Sequence, residues 1–267
     1  MTTSPSDIGH LLKVLEELAL AAGKEILRVR AAHFDIMSKA DGSPVTEADQ
    51  RAEKIIVSGL LAAFPESAVV AEEMIAGGIV PGKLRGPFFL VDALDGTREF
   101  CAGRDEFTVN IALIERGAPV AGVVFAPARG ELFAGAADRA FRAKVSGQGE
   151  TGPREEIRAR PAQDPETIVA TRSHMNALTE AFIEGKPSME VRCIGSSLKF
   201  CLLAAGEADL YPRFGTTMEW DTAAGDAVLR AAGGFTETLD GKPLTYGKRS
   251  QSGMADFQNP HFMSRGG

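Results

Sequence analysis

At 267 residues, with 44% hydrophobic and 24% charged side chains, the chain has the composition of an ordinary folded protein, which excludes a disordered, collagen-like or coiled-coil polypeptide. Its length suits one compact body built in two halves. A formal charge of -7 and the lack of any Lys/Arg run argue against a nucleic acid polymer or an acidic membrane surface as partner.

The three cysteines, Cys101, Cys193 and Cys201, show no CxxC spacing, so reduced thiols are expected rather than a disulfide framework or a zinc site. The first ten residues lack a basic region followed by an apolar stretch. The longest apolar run, around Ile55 to Phe64, is far below the ~18 residues of a membrane span. A cytoplasmic protein without an integral span is expected, with peripheral membrane association left open, as a monomer or homodimer.

In chain order, Ile8, Leu11, Leu12, Leu15 and Leu18 form a helical stripe between Asp7, a plausible N-cap, and about Arg30. Phe34, Ile36 and Ser38 read as a short strand before the turn Asp41-Gly42-Ser43-Pro44. Thr46 and Asp49 have the spacing of a capping arrangement for a second helix, which ends at Phe64-Pro65. Ala68 to Ala71 and Phe88 to Val91 read as buried strands that run into Glu72-Glu73 and Asp92. Thr108 to Ile114, Val120 to Phe125 and Glu131 to Ala134, with a fourth segment ending near Phe141, predict an antiparallel meander.

The polar stretch from Lys144 to Asp164 has no clear apolar period and is taken as the junction between halves 1–150 and 151–267. Beyond it, strands near Ile168–Ala170, Glu190–Cys193 and Asp209–Pro212 alternate with helices at Met175–Glu184, Ser197–Ala205 and Thr222–Ala232, an α/β pattern. The tail after Asn259 is expected to carry no chemistry.

The most informative string is Phe88 to Thr97, an apolar strand that delivers Asp92 and Asp95, then Gly96 and the Thr97 hydroxyl. Mg²⁺ takes oxygen ligands at about 2.0–2.1 Å and keeps sites for water and substrate phosphate, so clustered carboxylates without thiolates or histidines point to magnesium. Divalent ions can clamp the entering and leaving oxygens of a phosphoryl group, which is how an acidic protein could bind phosphate. Read alone, Asp-x-x-Asp-Gly-Thr is also a common turn, Glu72-Glu73 a common solvated pair, and Asp221 after Trp220 an N-cap.

Together, Asp49, Glu72-Glu73, Asp92-Ala93-Leu94-Asp95-Gly96-Thr97 and Trp220-Asp221 through Gly225 resemble the lithium-sensitive, magnesium-dependent phosphatase superfamily that includes inositol monophosphatases. That superfamily carries D, EE, DP(I/L)DG(S/T) and WDxxxG in this order. Asp41 to Thr46, Arg98-Glu99-Phe100, Glu106 to Asn110, Gly195 to Cys201 and Gly206 to Arg213 look like its bacterial 3'(2'),5'-bisphosphate nucleotidase branch, the CysQ type.

The resemblance implies a layered αβαβα sandwich with the site between the halves, and hydrolysis of adenosine 3',5'-bisphosphate to AMP and phosphate with two or three Mg²⁺ ions. An inositol or other sugar phosphatase is the alternative, and a silent phospho-ligand binder a more distant one. By the same resemblance, Glu72, Asp92 and the Leu94 carbonyl hold one ion, and Asp92, Asp95 and Asp221 a second. Glu72 and Thr97 orient and deprotonate the attacking water with Asp49 in support. The Gly96-Thr97 amides cradle the phosphate, so that Glu72, Leu94 to Thr97 and Asp221 contact substrate too. Gly195, Ser196, Lys199 and Arg213 face the sugar or second phosphate. Three positions depart from the pattern: Ala93 for proline, Ala71 for serine, and Asp226 for histidine, the last expected to add charge near a helix start.

Overall fold

The computed structural model describes residues 5–32, 34–39, 42, 44–82, 84–171, 175–186 and 188–267. Asp41 and Ser43 of the turn string lie outside the described residues. Helix α1 (Pro5–Ala31) begins before Asp7, which therefore lies in its first turn rather than at its cap. Leu11, Leu15, Ala19, Ala22, Ile26 and Val29 form its buried stripe. A two-stranded ribbon, β1 (Ile36–Ser38) and β2 (Pro44–Thr46), leads into α2 (Glu47–Ala63). Thr46 and Asp49 close the expected capping box at its start.

A seven-stranded sheet follows in the order β3 (Ala68–Ala71), β4 (Phe88–Asp95), β5 (Thr108–Glu115), β6 (Ala118–Ala126), β7 (Glu131–Ala136), β8 (Arg139–Val145) and β9 (Thr151–Ile157). Only β3 and β4 pair in parallel; from β4 onward it is the expected meander. Two short helices interrupt it, α3 (Glu72–Ala76) and α4 (Thr97–Cys101). Strand β9 falls inside 144–164, where the polar sequence had shown no period. It is an edge strand whose first six residues all keep solvent contact, so it carries no apolar alternation to read.

The second sheet runs β11 (Glu190–Ile194), β10 (Thr167–Thr171), β12 (Leu210–Arg213), β14 (Phe262–Arg265), β13 (Phe235–Thr238). Helix α5 (Ala177–Glu184) crosses from β10 to β11, and α6 (Leu198–Ala204) precedes β12. Helix α7 (Glu219–Ala231) begins at Glu219, three residues before its sequence-based start, and β14 lies in the tail after Asn259.

Two cores result. One lies between α1, α2 and the first sheet; the other joins the opposite face of that sheet to α6, α7 and the second sheet. Ile168, Ala170 and Leu210, alternating with inward Val169 and Tyr211, are buried as well, so the second sheet is covered on both faces. The layers read αβαβα, as expected. No helix of the described residues is long and apolar enough to cross a membrane.

Helix α7 belongs to the second half in sequence yet lies directly on the first sheet. A Cβ on Gly122 would sit 2.6 Å from the Ala224 carbonyl oxygen and 2.7 Å from Ala227 Cβ. Gly122→Val is therefore expected to destabilise the protein by about 3 kcal/mol through overpacking. Urea unfolding measures this, and an unchanged midpoint would show that α7 does not depend on that close approach.

Candidate active site

In a regular strand, residues three apart point to opposite faces, so Asp92 and Asp95 would diverge. A register shift between them prevents this: Asp92 pairs with Asn110, while Asp95 pairs with Thr108 only two residues away on β5. Asn110 and Thr108 share a face, so the two aspartates do also. The Leu94 N–H donates to Asp92 Oδ1 at 3.0 Å across the irregularity. Gly96 then turns the chain with φ +91°, where a side chain would press on the Glu106 carbonyl at 3.0 Å.

The third aspartate comes from the start of α7. Asp221 is the third helical residue rather than the N-cap, and its Oδ2 accepts the Met218 N–H at 2.8 Å. Two further side chains brace this turn. Buried Glu219 accepts the Lys248 N–H at 2.8 Å and the Lys248 ammonium at 2.7 Å. The Asn259 amide donates to the Met218 carbonyl at 2.8 Å and to Thr222 Oγ1 at 3.1 Å.

One carboxylate oxygen each from Glu72, Asp92 and Asp221 lie within 4.8 Å of one another. Burial pushes the Asp92 and Asp221 carboxyls well above the ordinary range, and the neighbouring carboxylates push the same way. Glu72 is raised too, by burial first, with Lys39 opposing and Asp49 and Asp95 adding to it. The Lys39 ammonium lies 2.5 Å from both Glu72 and Glu73. Burial works against its charge, but these carboxylates prevail and hold its pKa above the usual lysine value. An all-oxygen set of crowded carboxylates, Asp92 buried and Glu72 and Asp221 half-buried, whose repulsion a cation would relieve, fits a hard divalent ion.

Asp49 meets this cluster from α2. Its Oδ2 accepts the Thr46 N–H and hydroxyl, each at 2.8 Å, and its Oδ1 accepts the Thr97 hydroxyl at 3.0 Å. The same hydroxyl is 3.2 Å from the Leu94 carbonyl. The partner of Thr97 among the acids is thus Asp49, while Glu72 bonds Lys39.

Facing the carboxylates, a cavity of about 200 Å³ is lined by Glu72, Asp95, Thr97, Ser196, Lys199 and Arg213 among others. Lys199 is buried, not solvated: its Nζ donates to the Ser196 carbonyl at 2.6 Å and lies 5.3 Å from the centre of the Tyr211 ring. Arg213 donates through Nη2 to the Thr216 carbonyl at 2.8 Å, and its buried Nε has no partner among the described residues. The Gly195 N–H donates to Glu106 at 2.9 Å, so this glycine braces the cleft wall.

Lys39, Asn110, Ser197, Tyr211 and Asn259 were not singled out from sequence. Asn110, Ser197 and Tyr211 lay inside strings that carried the resemblance without being assigned a role; Lys39 and Asn259 carry no local signal, because each acts through a partner distant in sequence.

The sequence profile described as the inositol monophosphatase family matches residues 7–260. This chain belongs to the inositol monophosphatase family. Within that family it is 43% identical over 248 residues to the 3'(2'),5'-bisphosphate nucleotidase CysQ of Escherichia coli K12, covering 92% of this chain and 96% of the relative. The crystal structure of CysQ from Bacteroides thetaiotaomicron superposes with a TM-score of 0.77 at 35% identity, over 96% and 97% of the two chains. An inositol monophosphatase from Anabaena, 24% identical, superposes with a TM-score of 0.72 over 98% and 92%, and supports the fold alone. The chain is accordingly a phosphatase with the family's general dependence on Mg²⁺.

The family departures fall where they leave this cluster intact. Ala71 and Ala93 are packed in the first core. Asp226 is not near the helix start as expected but buried within α7. There it accepts the Tyr246 hydroxyl at 2.9 Å and pairs with Arg230 at 2.9 Å.

Proposed function

We propose that this chain is a 3'(2'),5'-bisphosphate nucleotidase that hydrolyses adenosine 3',5'-bisphosphate to AMP and inorganic phosphate. The observation that carries the reading is the buried Lys199–Arg213 pair across the cleft from the carboxylates, two cations in an acidic protein where a second phosphate would need them. The nucleotidase relatives at 43% identity support it. A cavity of about 200 Å³ takes the phosphates and sugar, with the base toward the mouth.

In this reading Glu72, Asp92 and the Leu94 carbonyl hold one Mg²⁺, and Asp92, Asp95 and Asp221 a second. Bound there, the ions supply neutralisation of the charge on the phosphoryl group. The chain's own acid–base work falls to Thr97 and Asp49. Thr97 Oγ1 takes a proton from the attacking water while passing its own to Asp49 Oδ1. Burial raises the Asp49 carboxyl, with the Thr46 and Thr97 bonds opposing, which suits a proton acceptor. Glu72, on the adjoining side of the cluster, orients the water. The freed sugar oxygen departs with a proton from solvent. The Gly96 and Thr97 amides, at a turn where no helix carbonyl precedes them, meet the phosphate oxygens.

Thr97→Val is expected to lower kcat by roughly 10²-fold or more, the scale of a lost general base, while Mg²⁺ affinity by calorimetry stays near wild type. A wild-type kcat would remove Thr97 from the mechanism. The function itself is tested by phosphate release from adenosine 3',5'-bisphosphate and from inositol 1-phosphate, each with and without Mg²⁺. Mg²⁺-dependent preference for the nucleotide supports the nucleotidase, and preference for inositol 1-phosphate reassigns the substrate.

A further inference from the structure

Ser197 is 2% exposed, and its hydroxyl sits where β5 meets the start of α6. Its Oγ accepts the Asn110 Nδ2–H at 3.0 Å and faces two acceptors, Asp95 Oδ2 at 3.1 Å and the Asp221 carbonyl oxygen at 2.8 Å. A hydroxyl has one hydrogen, and Asn110 already occupies a lone pair, so that hydrogen can serve only these two oxygens. Asn110 is itself held: its Oδ1 accepts the Thr108 hydroxyl at 3.2 Å, which leaves its amide nitrogen aimed at Ser197. The Thr108 hydroxyl also makes a short contact with the Ser196 hydroxyl.

Thr108 and Asn110 are the β5 residues paired with Asp95 and Asp92. Ser196 and Ser197, at the start of α6, are therefore stitched to the strand positions opposite the two aspartates. Through Ser197, the stitch also reaches the backbone of the third.

We propose that Ser197, oriented by Asn110, is a positioning residue that sets the span between Asp95 and Asp221 and so governs the ion site those two residues share with Asp92. The inference rests on the metal reading given above. None of the three hydrogen-bond partners of Ser197 is Glu72 or the Leu94 carbonyl, so the other ion site does not depend on it. Loss of the hydroxyl leaves the Asp95 carboxylate free to turn and removes a partner of Asn110, a change that acts on ligand orientation rather than on core packing.

Calorimetric titration of the metal-free full chain with Mg²⁺ tests this, with Asp95→Asn identifying which binding step involves Asp95. Ser197→Ala is expected to weaken that step about 10-fold or more, the usual cost of removing a partner behind a metal ligand, and to leave the other step unchanged. Asn110→Ala is expected to weaken the same step by less, with little further loss when combined with Ser197→Ala, because the two act through one hydroxyl. Wild-type affinity at both steps in Ser197→Ala overturns the proposal. Equal weakening of both steps with a lowered melting temperature overturns it too, since that would be general loosening. If Ser197→Ala does not fold, Asn110→Ala decides alone, and an unchanged Asp95-dependent step overturns the role. A wild-type isotherm without Mg²⁺ binding would instead bring down the metal reading, and this inference with it.

Discussion

Asp92→Asn is expected to abolish Mg²⁺-dependent phosphate release while raising the melting temperature of the metal-free protein. In the proposed reading Asp92 is the ligand common to both ions, and a site that stabilises transition-state charge by several kcal/mol loses about 10³-fold or more in rate when such a ligand is neutralised. The same carboxylate is a burden on the metal-free fold, because burial and the neighbouring Glu72, Asp95 and Asp221 all disfavour its charge. Removing it should stabilise the metal-free chain by roughly 1 kcal/mol, an exchange of stability against activity.

The pH dependence has a definite sign. Asp92, Asp221 and Glu72 all have folded pKa values above their unfolded ones, and so do Glu53 and Glu73, each pushed up to about 7 chiefly by burial. Between the unfolded value near 4 and the folded value, the native state keeps protons that the unfolded chain has released, so stability falls as pH rises. Melting of the metal-free protein is expected to drop from pH 5 to pH 7. Mg²⁺ should reverse the drop, by ≈ 2.7 kcal/mol at a hundred times its dissociation constant. A flat or rising profile without metal would contradict the crowded-carboxylate account.

Lys199→Met is expected to lower kcat/KM for adenosine 3',5'-bisphosphate by about 100-fold and leave turnover of inositol 1-phosphate nearly unchanged. Truncating one partner of a buried charge pair costs roughly 2–5 kcal/mol, and methionine keeps the packing of the stem. Burial pushes the Lys199 ammonium down to about 8, with Asp95 opposing and Arg213 adding to the shift. At neutral pH it is charged, so nucleotide affinity should decline as pH passes 8. Equal loss with both substrates would make Lys199 a prop for the start of α6 rather than a reader of the second phosphate.

Much of this site was legible because its acids sit at local boundaries. Asp49 follows a capping threonine, Glu72 ends the apolar run of β3, Asp92 and Asp95 end that of β4, and Asp221 follows the only tryptophan at a helix start. Those signals are short-range, carried by hydrophobic period and by residues that begin or end elements. Strand β9 was hidden because an edge strand with polar residues on both faces has no period. Asp226 was misplaced because its partners, Arg230 and Tyr246, are brought to it only when α7 packs beside the 245–247 segment.

By itself, then, the sequence determined the order of the principal helices and buried strands, the acidic residues and the family to which they point. The tertiary structure alone decided how those acids meet. The irregularity in β4 turns Asp92 and Asp95 to one face, α7 seated on Gly122 brings in Asp221, and Asn110 with Ser197 ties β5 to the start of α6 behind them. Strand register, helix seating and hydrogen bonds between distant segments are properties of packed surfaces, and they come into being only when the layers close on one another.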